Sequence, residues 1–147
     1  MAIKLARSTR QAGQDWFLGC IRHPTDVLRT WAAGELARIP SGEHWRVAEG
    51  PLLFSLRAMK YLGSRRLGPV VADVATGQAW WLLPTGLRDE LDDVPQLTVQ
   101  PQGGLLACLP VLNTIGERGW LEPPDGSGRL TAPAALRIAF GAGERLA

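Results

Sequence analysis

The amino-acid sequence predicts an α+β fold, in which two to three helices pack on a single mixed or antiparallel sheet. Three observations favour this class. An apolar stripe at helical spacing runs through residues 51–62, two apolar runs at 68–74 and 78–84 flank a turn, and residues 131–140 begin with helix-start signals. A chain of 147 residues, 46% of them hydrophobic, can bury a sizeable core.

Residues 1–23 are polar and basic, and helical patterning begins only after them. They include Lys4, Arg7 and Arg10 without a clear apolar period, so we interpret them as a partly ordered basic arm. A helix is predicted over 24–37, with Leu28 and Trp31 on one face, and 39–42 is predicted as the turn that closes it. No linker interrupts 24–147, which is predicted to form a single α+β domain.

The middle of the chain contains the strongest helix signal. Residues 44–48 are compatible with a short strand, and a helix is predicted over 51–62. Pro51 fits its first position, where a missing N–H removes no hydrogen bond, and Gly63 is placed to end it.

A β-hairpin follows, with strands at 68–74 and 78–84 and Gly77 supplying a positive φ in the turn. Both strands are almost continuously apolar, which predicts a central hairpin covered on both faces. Trp80 and Trp81 must then point to opposite faces, so at least one belongs to the core and the other is available for a ligand or partner.

The remaining pattern is weaker. Residues 85–91 are predicted as a short acidic helix, and 96–100, 104–110 and 120–122 as strands. A last helix is predicted from a Thr131 cap, with Pro133 in its first turn, to about residue 140.

Charge and composition indicate the cellular compartment in which the protein is expected. Residues 1–66 hold 11 Lys/Arg against 5 Asp/Glu, and the rest of the chain holds 5 against 9, which gives the net charge of +2. No apolar run reaches the roughly 20 residues that a membrane-spanning helix needs. We therefore expect a cytoplasmic protein without membrane association. Cys20 and Cys108 stand among apolar neighbours and are expected to be buried free thiols.

The sequence offers no complete catalytic pattern. His23 and His44 are the two histidines, and they stand in no metal-ligand spacing. No nucleophile elbow or phosphate-binding glycine loop is present. We therefore predict no catalytic residue, no metal and no cofactor. The acidic group Asp89, Glu90, Asp92 and Asp93 could hold a hard cation, but a solvated surface is the favoured interpretation.

Two groups of residues are candidate binding sites. Asp73 is a carboxylate at the end of an apolar strand; a turn cap is the favoured interpretation, and the alternative is a ligand cleft formed with His44, Trp80 and Trp81. Arg57, Lys60, Arg65 and Arg66 lie on and just after one helix; a solvated face is favoured, and a phosphate-facing patch for nucleic acid is the alternative.

Four stretches, together with the leucine-rich helix predicted at 51–62, carry a resemblance to a known family: 44–47, 67–73, 80–84 and 120–136. Together they resemble small proteins of high-GC bacteria that are similar to the N-terminal domain of bifunctional DNA primase/polymerases. Active members use a D-x-D pair, a later acidic residue and a Ser-x-His motif. Here Asp73 is followed by Val74 and Ala75, and neither histidine stands in that motif. The resemblance therefore implies a retained fold with the polymerase activity lost.

Three functions follow as hypotheses. The first is a non-catalytic binding or regulatory module with a degenerate primase/polymerase-like fold, acting through a nucleic acid, a nucleotide or a protein partner. The second is a small metal-dependent nucleotidyl-transfer or nucleotide-processing enzyme, which requires Asp73, Asp92 and Asp93 to converge. The third is a structural or interaction subunit of a larger assembly. The sequence does not indicate the oligomeric state.

Overall fold

The computed structural model describes the backbone of residues 2–146 and the side chains of residues 9–141. The α+β class is confirmed, but this part of the chain has four helices instead of two to three, and two antiparallel sheets instead of one, because β1 and β6 pair only with each other. The helices are α1 Ala2–Gly19, α2 Pro24–Ala32, α3 Leu52–Leu62 and α4 Pro133–Leu146. The strands are β1 Ala37–Pro40, β2 Arg46–Pro51, β3 Val70–Asp73, β4 Gln78–Leu83, β5 Thr98–Val99, β6 Leu105–Cys108 and β7 Arg118–Glu122.

The predicted hairpin is the centre of the larger sheet. Its five strands run in the order β5-β2-β4-β3-β7, and every neighbouring pair is antiparallel. Gly77 has a φ of 68° and donates its N–H to the Asp73 carbonyl, which closes the β3–β4 turn. Nearly every residue of both strands is buried, because the sheet is covered on each side as the apolar pattern predicts.

Each face of this sheet has its own apolar cluster. Helices α3 and α4 cover one face, where Trp81 packs against Phe140. The other face, which contains Trp80, is covered by α1, α2 and the small β1–β6 sheet. The two adjacent tryptophans therefore belong to different clusters, and both are buried.

The N-terminal segment differs from the prediction of a partly ordered arm, since α1 occupies most of it. The physical reason is Phe17, which is fully buried and stacks on Trp31 and Trp45. Burying a large aromatic ring offsets the entropy of ordering the helix. The side chains of Lys4 and Arg7 lie outside the described residues.

The structure corrects three other boundaries. Helix α2 ends at Ala32, because Gly34 turns the chain with a φ of 78°, and 37–40 form β1 where a helix end and a turn were predicted. Residues 85–91 form turns instead of an acidic helix. Thr131 does not cap α4: its hydroxyl accepts the Gly68 N–H at 2.8 Å and ties the start of α4 to the approach to β3.

Other expectations are confirmed. Helix α3 ends at Gly63, whose φ is 76°, as predicted, but it begins one residue later than predicted, because Pro51 is extended and is the last residue of β2. Cys20 and Cys108 are free; Cys108 is fully buried and Cys20 partly so. None of the described helices combines the length and apolar character that crossing a membrane requires.

Candidate functional site

The four residues of the predicted cleft do not come together. Trp81 lies inside the α3/α4 cluster, where its indole N–H donates to the Ser55 hydroxyl at 3.1 Å. Asp73 and Trp80 lie at the opposite face of the sheet, and His44 lines a separate cavity next to β1. The prediction of a common cleft was therefore wrong, because successive side chains of a β-strand point to opposite faces and separate the two indoles.

Asp73 caps the β3–β4 turn, which was the favoured interpretation, and it also forms a salt bridge with Arg118. Its carboxylate accepts the Thr76 N–H at 3.2 Å and the Arg118 guanidinium at 3.3 Å. Burial by itself would raise the pKa of Asp73, but these two donors together lower it. Arg118 lies 4.2 Å from the centre of the Trp80 ring, and the Trp80 indole N–H donates to Glu49 at 2.6 Å.

Arg118 joins the two sheets. Besides its bond to Asp73, it donates to the Ala107 carbonyl of β6 at 2.8 Å, and Trp120 donates to the Leu109 carbonyl at 3.2 Å. These side chains of β7 therefore supply hydrogen-bond donors to a carbonyl at the outer edge of β6 and to that of Leu109 just beyond it. The arginine–aspartate pair is thus part of the scaffold, since both terminal nitrogens of Arg118 donate within the protein; its buried Nε has no partner among the described residues.

The acidic residues do not converge as the enzyme hypothesis requires. Asp93 accepts two hydrogen bonds of 2.9 Å from Arg137 of α4, whereas Asp73 faces the opposite side of the sheet with Arg118. Within residues 9–141, no group of three histidine, cysteine, aspartate or glutamate side chains is arranged to hold a metal ion.

The predicted basic residues do cluster. Arg57 and Lys60 lie on α3, and Arg65 and Arg66 are exposed just beyond its end. None of the four forms an ion pair with a described residue, although Arg57 stacks over the Phe54 ring at 5.8 Å. We call these four cations, which pair with no carboxylate among the described side chains, the α3 patch.

A cavity of about 750 Å³ lies between α2 and β1, and we call it the β1 cavity. Its walls are residues 20–23, the inward face of α2, residues 36–41 and residues 43–45. Eight of the sixteen lining residues are apolar, with Ile21, Val27, Leu36 and Ile39 among them, and apolar atoms make up most of the lining surface. The volume falls within the roughly 300–1,000 Å³ of ordinary ligand sites.

Two polar groups in the wall of the β1 cavity lack an oxygen or nitrogen hydrogen-bond partner among the described residues. They are the Ser41 hydroxyl and the Trp45 indole N–H, in residues that are 5% and 2% exposed. Neither atom contacts solvent. Burial raises the pKa of the neighbouring Cys20 thiol, and the Trp45 indole N–H partly offsets that rise by donating to the sulfur. A thiol is a weak acceptor, and the indole has no oxygen or nitrogen partner among the described residues.

Charged side chains surround the mouth of the cavity, and they balance. Arg22 donates to Glu43 at 3.1 Å, and Glu43 also lies 4.0 Å from His44. Arg38 is exposed, and Asp26 approaches Arg29 at 3.9 Å. The lining therefore holds two arginines and two carboxylates, with no net charge when the histidines are neutral.

Sequence reasoning found His44 but missed Ser41 and Trp45. Ser41 stood in a predicted turn, where a free hydroxyl is ordinary, and Trp45 stood in a predicted strand as a core residue. No sequence signal reports that a buried donor lacks an acceptor, because that depends on which distant segments pack against it.

Comparison of the chain with protein-family models, with curated proteins and with solved structures finds no match. The resemblance to primase/polymerase N-terminal domains therefore stays a prediction from four stretches of sequence.

Proposed function

We propose that this protein is a non-catalytic binding module whose ligand occupies the β1 cavity. The observation that supports it is the pairing of a ligand-sized, mostly apolar cavity with two buried polar groups in its wall that lack an oxygen or nitrogen partner. Native proteins satisfy more than nine in ten of their buried polar groups. Five buried side-chain atoms lack a partner among the described residues, and two of them lie in the wall of this one cavity, which suggests a site that is complete only when occupied.

The energetics favour the same conclusion. A buried donor without an acceptor costs about 1–3 kcal/mol, which is a large share of the stability of a small domain. Such local costs concentrate at functional sites. A ligand reaches these atoms only if the wall adjusts, and the Ser41 hydroxyl can be turned into the cavity by rotation about a single bond.

Binding without catalysis suits the chemistry of the lining. The raised pKa of Cys20 disfavours the thiolate that a nucleophilic reaction needs. A degenerate primase/polymerase-like ancestry, with its acidic signature absent, agrees with a module that recognises a ligand and leaves it unchanged.

The test is a ¹H–¹⁵N spectrum of the tryptophan indoles during titration with a library of small amides, lactams and ureas. Binding fragments should shift the Trp45 indole N–H, and the Trp31 indole N–H, which already donates to Cys108 at 3.0 Å, should stay in place. Trp45→Phe serves to assign the resonance. If no fragment moves it at millimolar concentration, the cavity is not a binding site.

A second candidate function is non-specific nucleic-acid binding through the α3 patch. It is favoured by four cations, in the second half of α3 and just beyond its end, that pair with no carboxylate among the described side chains. The triple variant Arg57→Ala, Arg65→Ala and Arg66→Ala should weaken binding of a single-stranded oligonucleotide and reduce the salt slope by about 2, since each lost phosphate contact contributes about 0.7.

A control matched in charge is the triple variant Arg10→Ala, Arg88→Ala and Arg129→Ala, which removes exposed arginines elsewhere. It should retain both the affinity and the slope. Equal losses in the two triple variants would show that net charge alone, and not the α3 patch, attracts the oligonucleotide.

A further inference from the structure

We infer that the ligand of the β1 cavity is a short, extended peptide segment that adds to the open edge of β1. This inference rests on the proposed function, because it identifies the class of ligand for the same cavity. It follows from three observations: the position of the cavity relative to the strand, the direction of the strand's free hydrogen-bonding groups, and the neutral charge of the walls.

The cavity runs along the edge of β1 and not over one of its faces. All four residues from Ala37 to Pro40 line it. Side chains alternate between the two faces of a strand, so a cavity over one face would be lined by every second residue. No residue of β6 contributes to the lining, so the cavity lies on the side of β1 away from its partner strand.

The free backbone groups of β1 point into this space. Ser41 N–H donates to the Gly104 carbonyl, and hydrogen-bonded positions alternate along an antiparallel ladder. Ala37 and Ile39 therefore bond to β6, whereas Arg38 directs both its N–H and its carbonyl away from β6. The Ala107 carbonyl opposite Arg38 is free of β1 for the same reason, and it accepts from Arg118 instead.

An extended peptide matches this edge in hydrogen bonding and length. On the outward side of β1, Arg38 presents one donor and one acceptor, and Pro40 adds a second carbonyl. Four residues of strand span about 13 Å. Val27 and Thr30 on the inward face of α2 form the opposite wall and would contact the alternate side chains of the peptide.

The charge of the walls disfavours a phosphate-bearing ligand. The two arginines of the lining are balanced by two carboxylates, and Arg22 is already bonded to Glu43. The apolar walls instead favour a peptide with a bulky uncharged side chain between Val27 and Ile39. The partner is therefore an extended, uncharged protein segment.

The test begins with selection of a random seven-residue peptide library on the 147-residue chain. Selected peptides should shift the Trp45 indole N–H, and N-methylation of single peptide amides should weaken binding at every second position, because an added strand bonds its neighbour through alternate residues. Sensitivity without this alternation, or selected peptides that leave the Trp45 resonance in place, would overturn the inference.

A pair of variants tests the protein side. Arg38→Pro removes the outward N–H while leaving the ladder to β6 intact, and should weaken a selected peptide about tenfold, whereas Arg38→Ala should change affinity little. Equal affinities would refute strand addition; if Arg38→Pro does not fold, the N-methyl pattern decides. If amide fragments shift Trp45 but no peptide is selected, the inference fails and the proposed function stands; if neither shifts it, both fail.

Discussion

Replacing Trp45 by phenylalanine should cost this protein less stability than the same change at Trp31. The two indoles form a matched pair, because both stack on Phe17 with ring planes 10° apart, at centroid distances of 6.1 and 6.4 Å. Both are buried in the same apolar cluster. The packing lost on truncation to phenylalanine is therefore similar at the two positions.

The hydrogen bonding of the two side chains differs, and it sets the size of the effect. Trp31 donates to the Cys108 carbonyl at 3.0 Å, so Trp31→Phe loses a bond worth about 0.5–1.5 kcal/mol. Trp45→Phe instead removes a buried donor that has no oxygen or nitrogen acceptor and reaches only the weakly accepting Cys20 sulfur, which relieves a cost of about 1–3 kcal/mol. The sum of the two lower limits predicts that Trp45→Phe is less destabilising by about 1.5 kcal/mol or more.

Urea unfolding followed by far-ultraviolet circular dichroism measures this difference. The comparison is valid when the two variants share one m value, since a change in m indicates a change in the unfolded or native state. If Trp45→Phe is as destabilising as Trp31→Phe, the Trp45 indole has an oxygen or nitrogen acceptor in solution. The argument from an incomplete cavity wall would then lose its main support.

Three further predictions concern the scaffold. Ser55→Ala should destabilise the fold by about 1–3 kcal/mol, because the buried Trp81 indole loses its acceptor, and urea unfolding should show it; a neutral change would contradict the assigned bond. Gly68→Ala should cost about 1–3 kcal/mol or more by the same assay, because a Cβ would lie 2.6 Å from the Leu130 Cα and 2.7 Å from the Thr131 nitrogen, both backbone atoms; an unchanged urea midpoint would show that this approach is not close in solution. Asp73→Asn should lower the melting temperature at pH 7. The folded state lowers the pKa of Asp73, so its contribution is present above the unfolded value near 3.8 and is lost as pH falls through the folded pKa. The gap between wild type and variant should therefore narrow on acidification below about pH 4, and a constant gap would contradict the lowered pKa.

Local signals predicted the parts of the fold that local physics determines. Gly77 and Gly63 both have a positive φ. Gly77 closes the turn between β3 and β4, and Gly63 follows the last residue of α3, each where the sequence indicated. The continuous apolar character of β3 and β4 correctly predicted the centre of the sheet. In each case the deciding interaction lies within a few residues of the signal.

Strand β1 shows why the rest could not be predicted. It has four residues, ends in a proline, and pairs with β6 from about 70 positions further along the chain. A proline within a short run argues against a strand unless its missing N–H faces an open edge, and only the tertiary fold places an open edge there. The β1 cavity depends on this strand, so the sequence could indicate His44 but not the wall beside it.

The two outer edges of the small sheet are treated in opposite ways, and this contrast supports a binding role for one of them. Exposed strand edges invite pairing with other chains, and proteins usually cover them. The outer edge of β6 is covered by Arg118 and Trp120, which bond its free carbonyls. The outer edge of β1 faces a cavity instead, with Pro40 at one end to limit how far an added strand can extend. An edge without a function would be expected to face bulk solvent. The edge of β1 is instead bordered by α2, apolar side chains and balanced charges, an arrangement that suits a specific partner strand.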